Sequence, residues 1–263
     1  MLCLTHLKQG NPMQTGKVYL IGAGPGDPEL LTLKAVRLLS TADVVLVDDL
    51  VNRAVLDHAH GGARIIEVGK RGGCQSTPQA FIHRQMISEA RAGKVVARLK
   101  GGDPFMFGRG GEEIEALRAA GIPIEVISGV TSGIAAPAAL GIPVTHRDWA
   151  PGVTFVTGHT RDGNSVNWAA LAAARTTLVI YMGIKNLPDI VAQLLAAGLP
   201  STTPAAVIQN GTLARQRQIK SNLSNLPAAT QQAGIGSPAI MVIGEVASLA
   251  HLETCAETAV KAA

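Results

Sequence analysis

The sequence predicts an α/β protein with two α/β domains, and two observations support this fold class. Short runs rich in β-branched residues alternate with Ala- and Leu-rich amphipathic stretches, a pattern typical of βαβ units and a largely parallel sheet. The length of 263 residues corresponds to slightly under two domains of about 150 residues each. A second series of strand-like runs follows the first, so we expect a second α/β domain.

The first series contains five predicted strands: Lys17–Gly22, Asp43–Val47, Arg64–Val68, Lys94–Leu99 and Pro123–Ile127. Four predicted helices lie among them: Glu29–Leu39, Arg53–Ala59, Pro78–Ala92 and Glu112–Ala120. Thr77 and Pro78 fit a helix start, with Thr as the N-cap and Pro at the first helical position. Gly93 and Gly121 stand where helices are expected to end.

The second series contains five predicted strands and one predicted helix: Val153–Thr157, Thr177–Met182, Ala205–Gln209, Arg217–Ser221 and Ala239–Ile243, with the helix at Asn186–Ala197. The segment Gly141–Gly152 contains two Pro, two Gly and a charge cluster, which is typical of a linker. We therefore expect a tail at 1–16, an N-terminal domain at 17–141, a linker at 142–152, a C-terminal domain at 153–244 and a tail at 245–263.

The composition excludes several classes of protein. Charged residues make up 16% of the chain, too few for a disordered charged tail protein. No run of five or more Lys and Arg occurs and aromatic residues are only 3%, so nucleic-acid binding is disfavoured. The net charge of +4 fits either a solvated surface or a small anionic ligand, and both readings stay open.

The cysteines and the apolar segments predict a cytoplasmic protein without a metal or a membrane span. Cys3, Cys74 and Cys255 are far apart, which is typical of a reducing compartment and of neither a disulfide framework nor a zinc site. The first sixteen residues lack the apolar core of a secretory signal. The longest uncharged run, Val126–Thr145, is interrupted by Gly and Pro and predicts a strand, a loop and a helix.

A glycine-rich turn, Gly22-Ala-Gly-Pro-Gly-Asp27, follows the first predicted strand. The dinucleotide fingerprint needs a third glycine where Asp27 stands, and a carboxylate there would repel a pyrophosphate. The turn, with an acid such as Asp48 or Asp49 about 20 residues on, suits a nucleoside without phosphate, such as S-adenosylmethionine. The alternative is a tight turn in which Asp27 is simply a helix N-cap.

A second glycine-rich loop, Lys100–Glu113, follows the fourth predicted strand and contains five glycines in fourteen residues. It lies at the carboxyl end of a predicted parallel strand, where α/β sheets bind ligands. The alternative is a plain surface loop, which would expose Phe105, Met106 and Phe107 without a reason.

Seven motifs occur in order between about Lys17 and Ile243: VYLIGAGPGDPELLTLKAVRLLSTADVVLVDDLV, VGKRGG, VARLKGGDPFMFGRGGEE, ISGVTSGIAAPAALGIPVTHRD, VTGH, YMG and QNGT. Together they resemble the uroporphyrinogen-III C-methyltransferases, a branch of the tetrapyrrole (corrin/porphyrin) methylase superfamily. The GxGPGD motif is shared with other branches of that superfamily, whereas GKR, RLKGGDPFxFGRGGEE and GIPVTHRD are more specific to this branch.

The resemblance implies the tetrapyrrole methylase fold, with a ligand cleft between two α/β domains, and a homodimer. It implies S-adenosyl-L-methionine as methyl donor and S-adenosyl-L-homocysteine as product. By similarity, the donor-binding residues are Pro25, Gly101, Gly102, Asp103, Met106, Thr131, Ser132, Met182, Gly211 and Ala239. By similarity, Asp48 is the proton acceptor, in place of a ribose contact, and Lys70 the proton donor.

The implied reaction is methylation of uroporphyrinogen III at ring carbons C2 and C7, which gives precorrin-2 for sirohaem and cobalamin biosynthesis. A pyrrole ring is electron-rich enough to attack the methyl group itself, so the protein must align the reactants and place a base. The substrate carries eight carboxylates, and Arg binds carboxylates in bidentate fashion. We therefore expect Arg53, Arg71, Arg109 and Arg147 to bind the substrate.

Several alternatives stay open. Asp48 and Asp49 also fit a solvated acidic pair, and Met182 also fits plain core packing. His146 is expected to be a structural hydrogen-bonding residue. The runner-up activity is methylation of a later corrin precursor, and two further hypotheses are RNA ribose methylation and a tetrapyrrole carrier without activity. The absent basic patch disfavours the RNA hypothesis.

Overall fold

The computed structural model describes residues 15–69, 77–159 and 166–251. These residues divide into two compact units: a first unit of residues 15–23, 31–69 and 77–129, and a second unit of residues 24–30, 130–159 and 166–251. The predicted domain limits at residues 141 and 153 stay a prediction. The predicted tail at 1–16 and the three cysteines lie largely or wholly outside the described residues.

The first unit contains a five-stranded parallel sheet, as the alternating pattern predicts. Its strands are β1 (Val18–Gly22), β2 (Val44–Val47), β3 (Arg64–Glu67), β4 (Val96–Lys100) and β5 (Ile124–Ile127). They lie in the order β3-β2-β4-β1-β5, and every neighbouring pair is parallel. Consequently β1, β4 and β5 end at one edge of the sheet, where the two glycine-rich segments begin.

The helices of the first unit differ from the predicted helices at their ends. They are α1 (Leu33–Leu39), α2 (Gln79–Arg91) and α3 (Gly110–Ala119), with a 3₁₀ helix at Arg53–His58. A 3₁₀ helix at Pro28–Leu30 precedes α1 in the chain and belongs to the second unit. The predicted helix Glu29–Leu39 is divided because Thr32 caps α1, its Oγ1 accepting a hydrogen bond from Ala35 N at 3.1 Å.

The predicted start of α2 is one residue too early. Pro78 is the N-cap and Gln79 the first helical residue, while the Thr77 hydroxyl donates to Gly69 O at 3.2 Å instead of capping the helix. The predicted helix ends are confirmed, since Gly93 and Gly121 follow α2 and α3 with φ of 79° and 70°.

The first sheet has an apolar cluster on each face, because alternate side chains of a strand point to opposite faces. On one face, apolar residues of α2 and α3 pack on the even-numbered positions of β1, β2 and β4. The helix residues are Ile82, Met86, Ile114 and Leu117, and the strand residues are Val18, Leu20, Val44, Leu46 and Val96. On the other face, Ala35 and Leu39 of α1 pack against Ile21, Val45 and Leu99. The face covered by α2 and α3 also carries the charged side chains described below.

The second unit contains a mixed sheet with its own core. Its strands are β6 (Val153–Thr157), β7 (Thr177–Tyr181), β8 (Pro204–Gln209), β9 (Arg217–Asn222) and β10 (Ala239–Ile243), in the order β6-β7-β10-β8-β9. The β6–β7 pair is parallel, and the other three pairs are antiparallel. All five strands match predicted strands to within one residue at each end.

The helices of the second unit are α4 (Ser132–Ala138), α5 (Trp168–Ala173), α6 (Leu187–Ala196) and α7 (Leu226–Gln232), with 3₁₀ helices at Ile184–Asn186 and Glu245–Leu249. The sequence patterns predict α4 and α6 but not α5 and α7. Both unpredicted helices have seven residues or fewer, so each contains at most two turns of the 3.6-residue period.

Within the described ranges, no helix has the length and apolar character needed to span a bilayer.

Candidate active site

The turn that follows β1 is held by hydrogen bonds at Asp27. Gly24 and Gly26, on either side of Pro25, have φ of 73° and 149°, which a residue with a side chain rarely adopts. The Asp27 carboxylate accepts from Glu29 N at 2.9 Å, and Asp27 N donates to Thr212 Oγ1 at 3.1 Å. Asp27 therefore begins the short 3₁₀ helix, as the N-cap alternative states, and Pro25 has a fixed position in the second unit.

Three glycines pack backbone to backbone where β1, β4 and β5 end. A Cβ on Gly22 would lie 2.5 Å from Gly129 N, and a Cβ on Gly129 would overlap Gly102 O. The Asp103 carboxylate joins two of these segments, because Oδ1 accepts from Phe105 N at 2.8 Å and Oδ2 accepts from Gly129 N at 3.1 Å. The loop after β4, which contains the predicted donor residues Gly101, Gly102 and Asp103, is thus fixed at the carboxyl edge of the sheet.

The same loop contains strained and exposed apolar residues. Phe105 and Phe107 are exposed, and Met106 is half-buried. Phe107 and Arg109 have positive φ values of 53° and 58°, which cost energy for a residue with a Cβ. Strain of this kind is concentrated at ligand sites, so the loop fits a binding role better than a plain surface loop.

A cluster of four charged side chains lies beside this loop. Arg98 and Lys100 follow Val96 on the face of β4 that packs against α2 and α3, and both are buried with Glu113 of α3. Arg98 Nε donates to Glu113 Oε1 at 3.0 Å, and Arg98 Nη2 donates to Asp48 Oδ1 at 3.0 Å. Lys100 Nζ lies 3.3 Å from Glu113 Oε2 and 3.9 Å from Asp48 Oδ2.

The cluster places Asp48 at the boundary between the protein interior and solvent. Its side chain is 33% exposed, whereas those of Arg98, Lys100 and Glu113 are almost completely buried. Burial lowers the pKa of Lys100 and repulsion from Arg98 lowers it further, while Glu113 and Asp48 partly offset both effects. Asp48 is therefore accessible, and its contacts show that the alternative of a merely solvated acidic pair does not describe it.

The predicted substrate-binding arginines have different surroundings. Arg53 pairs with Glu67 at 2.5 Å, and Arg109 donates to both oxygens of Glu112 at 2.8 and 2.7 Å. The hydrogen bond to Glu112 raises the pKa of Arg109 further above its usual range. Arg147 is exposed. The fourth arginine, Arg71, and the predicted proton donor Lys70 lie outside the described residues.

The predicted donor residues of the second unit lie at one edge of its sheet. Ala239 at the start of β10 pairs with Gln209 at the end of β8, and Ile240 pairs with Tyr181 at the end of β7. Met182 and Gly211 follow β7 and β8 directly and therefore belong to the same edge.

Tyr181 connects this edge to the start of α4. Its Oη lies 2.6 Å from Thr131 Oγ1 and accepts from Gly133 N at 2.7 Å, so Thr131 and its neighbour Ser132 are held against β7. A Cβ on Gly211 would lie 2.5 Å from the Cβ of Ala136, so the loop after β8 packs directly on α4.

Met182 is a surface residue in a strained conformation. Its side chain is 51% exposed and its φ is 53°, which excludes the alternative of plain core packing. Asn210 and Thr212, on either side of Gly211, also have positive φ values of 51° and 69°. Backbone strain after β7 and β8 therefore occurs at one predicted donor residue, Met182, and at the two neighbours of another, Gly211.

His146 has the expected structural role, since its Nδ1 accepts from Asp148 N at 3.2 Å and its ring stacks on Trp149.

Two residues of the charged cluster and of the second sheet edge, Glu113 and Tyr181, were not among the predicted site residues. The sequence did contain a signal for Glu113. Two cations, Arg98 and Lys100, stand two positions apart in an apolar strand, and buried cations require a buried counter-charge.

Comparison with protein families identifies the fold. The sequence model of the Tetrapyrrole (Corrin/Porphyrin) Methylases matches residues 17–227. The chain belongs to this family. The resemblance inferred from the seven motifs is thereby confirmed, and so is the α/β fold class.

Two relatives of this tetrapyrrole methylase show how far the similarity extends. The chain is 56% identical over 232 residues to a uroporphyrinogen-III C-methyltransferase of Pseudomonas aeruginosa. The aligned region covers 88% of this chain and 94% of the relative. It is 49% identical over 248 residues to a sirohaem synthase of Pseudomonas putida. This aligned region covers 94% of this chain but only 54% of the relative. The chain thus spans about half the length of that second relative.

The fold is also that of a solved methyltransferase. The uroporphyrin-III C-methyltransferase of Thermus thermophilus, in complex with S-adenosylhomocysteine, matches with a TM-score of 0.76 and 40% identity. The match covers 88% of this chain and 93% of that protein. Within the parts of the chain that the structure describes, no group of three or more His, Cys, Asp or Glu side chains is placed to hold a metal ion.

Proposed function

We propose that this tetrapyrrole methylase transfers methyl groups from S-adenosyl-L-methionine to ring carbons C2 and C7 of uroporphyrinogen III, giving precorrin-2. The observation that carries this proposal is the 56% identity over nearly the full length of a uroporphyrinogen-III C-methyltransferase. Precorrin-2 is the precursor that sirohaem and cobalamin biosynthesis share.

The residue types at the two sheet edges fit this donor. Asp103 is half-buried, and each of its carboxylate oxygens accepts one backbone N–H and keeps a lone pair for a ribose hydroxyl or the ammonium group. The exposed thioether of Met182 suits an apolar ring face. We propose that Pro25, Gly101, Gly102, Met106, Thr131, Ser132, Gly211 and Ala239 complete the donor site.

When bound, the donor supplies a methyl group on a cationic sulfur: a ring carbon bonds to this methyl group, and the electrons of the broken S–CH₃ bond stay on sulfur. The methylated ring system then carries a positive charge until it loses a proton. We propose that the Asp48 carboxylate accepts this proton, because Asp48 is partly exposed to solvent and its orientation is fixed by Arg98. Lys70 is proposed as the proton donor.

The proposed acceptor carries eight carboxylates, and the exposed arginines of the chain suit it. Arg147 is exposed, and Arg53 and Arg109 form exposed ion pairs that contribute little and can exchange for a substrate carboxylate. We propose Arg53, Arg71, Arg109 and Arg147 as the binding set.

We further propose that the active protein is a cytoplasmic homodimer. Light scattering on the purified protein tests the oligomeric state: a dimer mass is expected, and a monomer mass at working concentration would contradict it.

The direct test of the activity is a count of transferred methyl groups. The purified protein is incubated without oxygen with uroporphyrinogen III and excess S-adenosylmethionine, and the product is analysed by mass spectrometry. Two added methyl groups are expected. A product without added methyl groups, with donor binding still measurable by calorimetry, would contradict the proposed acceptor and favour a later corrin precursor.

A further inference from the structure

Glu113 is a completely buried carboxylate that none of the proposed roles uses. It lies in the first turn of α3, with 0% of its side chain exposed. Its Oε1 accepts from Arg98 Nε at 3.0 Å and from Gln79 Nε2 at 3.1 Å, and its Oε2 lies 3.3 Å from Lys100 Nζ. Burying a carboxylate without access to water costs free energy unless the carboxylate is paired. These three contacts are therefore what allows Glu113 to be buried.

The contacts of Glu113 fix the guanidinium that holds Asp48. Every nitrogen of the Arg98 guanidinium has an acceptor: Nε donates to Glu113, Nη1 donates to Leu99 O at 3.1 Å, and Nη2 donates to Asp48. The planar group therefore has a single orientation. Removing the Glu113 contact would leave the guanidinium with only its contacts to Leu99 O and Asp48, so the partner of Asp48 would be held less firmly.

Glu113 also balances the charge beside Asp48. The charged groups that face Asp48 from the packed elements of the described structure are Arg98 and Lys100 of β4, with Glu113 of α3 behind both. The four groups together have two positive and two negative charges. Without Glu113, Asp48 would face two cations whose charge only Asp48 itself offsets, and such an environment favours the ionised carboxylate.

We propose that Glu113 is a positioning residue for methyl transfer, which acts through Arg98 and Lys100 to orient Asp48 and to keep it able to accept a proton. This inference rests on the proposed function, in which Asp48 is the proton acceptor. A carboxylate that is too strongly stabilised in its ionised form is a weak base. The charge of Glu113 therefore affects the rate through the basicity of Asp48, and the length of its side chain affects the rate through the orientation of Arg98.

Two variants separate those effects. Glu113→Gln keeps the shape but removes the charge, whereas Glu113→Asp keeps the charge but is one methylene shorter. The measurement is the single-turnover rate constant of methyl transfer as a function of pH, which is free of product release. Glu125→Gln is the matched control, since Glu125 also pairs with two lysines, Lys17 and Lys34, at the surface.

For Glu113→Gln, we expect the rate to fall by about 10- to 100-fold and the acid limb of the pH profile to move to lower pH. For Glu113→Asp, we expect a lower rate with the acid limb unmoved. The control should match the wild type. A purely structural role would scale the Glu113→Gln rate at every pH equally and leave the acid limb in place, and that result would overturn the proposal.

A double-mutant cycle with Asp48→Asn gives the second readout. If Glu113 acts through Asp48, then Glu113→Gln lowers the rate little further when Asp48 is already Asn. Independent, multiplying losses would overturn the proposal. If Glu113→Gln does not fold by circular dichroism, then Glu113→Asp and Gln79→Met decide, and a wild-type rate in both would overturn it. Failure of the proposed function itself is distinguishable, because the wild-type protein would then transfer no methyl group.

Discussion

Nη2 of Arg98 donates to Oδ1 of Asp48 at 3.0 Å, which joins a buried cation to a carboxylate that solvent can reach. Hydrogen bonds between ionised groups are shorter and stronger than neutral ones, so this contact restricts the Asp48 side chain. Arg98 is held in turn by Glu113, which is buried. The candidate base is therefore oriented from inside the first unit, and it needs no ligand to fix it.

The first prediction concerns the stability of this charge cluster. Arg98→Met leaves Glu113 and Asp48 opposite Lys100 alone, and breaking a buried pair in this way costs about 3–5 kcal/mol. Chemical denaturation gives the free energy of unfolding. Arg64→Met is the control, because Arg64 pairs with Glu89 while largely exposed and should lose about 1 kcal/mol or less. Equal losses in the two variants would contradict the importance of the buried cluster.

The second prediction concerns the close packing of glycines beside the donor loop. Gly129→Ala places a methyl group against Gly102 O, so the loop that contains Asp103 must shift. We expect affinity for S-adenosylhomocysteine, measured by calorimetry, to fall by at least about 10-fold, since loss of one or two polar contacts costs that much. Gly111→Ala is the control, because nothing lies within 4 Å of its added Cβ and Ala favours the helix. Unchanged affinity in Gly129→Ala would count against the predicted donor loop.

The third prediction concerns the tyrosine that joins β7 to α4. Tyr181→Phe removes an oxygen that contacts Thr131 Oγ1 and Gly133 N, and both groups are buried. Leaving buried polar groups unpaired costs about 1–3 kcal/mol, so thermal unfolding should occur at a lower temperature. Tyr19→Phe serves as the comparison, since Tyr19 is only half-buried. A larger loss in Tyr19→Phe would contradict the assigned role of Tyr181.

The fourth prediction concerns the pH dependence of stability. Hydrogen bonds from Lys17 and Lys34 lower the pKa of Glu125 to about 2, from an ordinary value of 4.5. A carboxyl group with a lowered folded-state pKa stabilises the protein above pH 4.5 and loses that contribution as the pH falls towards 2. The difference in unfolding free energy between wild type and Glu125→Gln should therefore shrink between pH 5 and pH 3, and high salt should reduce it at every pH. A difference that is constant with pH would contradict the pairing.

Most strands of both sheets could be predicted from the sequence because they are short apolar runs bounded by Gly, Pro and polar residues, whereas β9 (Arg217–Asn222) is mainly polar. The glycine-rich loops could be placed at strand ends for the same reason. The order β6-β7-β10-β8-β9 was not predicted, because strand pairing over long separations leaves no local pattern.

The site was predictable only in part. Asp48, the Gly101–Asp103 segment and Met182 belong to motifs, so similarity finds them. Glu113 and Tyr181 act through contacts with residues that are distant in the sequence, 15 positions for Glu113 to Arg98 and 50 for Tyr181 to Thr131. Nothing in their own neighbourhoods distinguishes them from ordinary residues of a helix and a strand.

The central claim is that Asp48 accepts the proton released after methyl transfer, and the Asp48→Asn variant tests it most directly. Asn has nearly the same shape but cannot serve as the base. In a single turnover with uroporphyrinogen III, we expect the rate constant to fall by about 10²- to 10⁴-fold, while calorimetry shows unchanged affinity for S-adenosylhomocysteine. Methyl transfer by Asp48→Asn at the wild-type rate would contradict the claim.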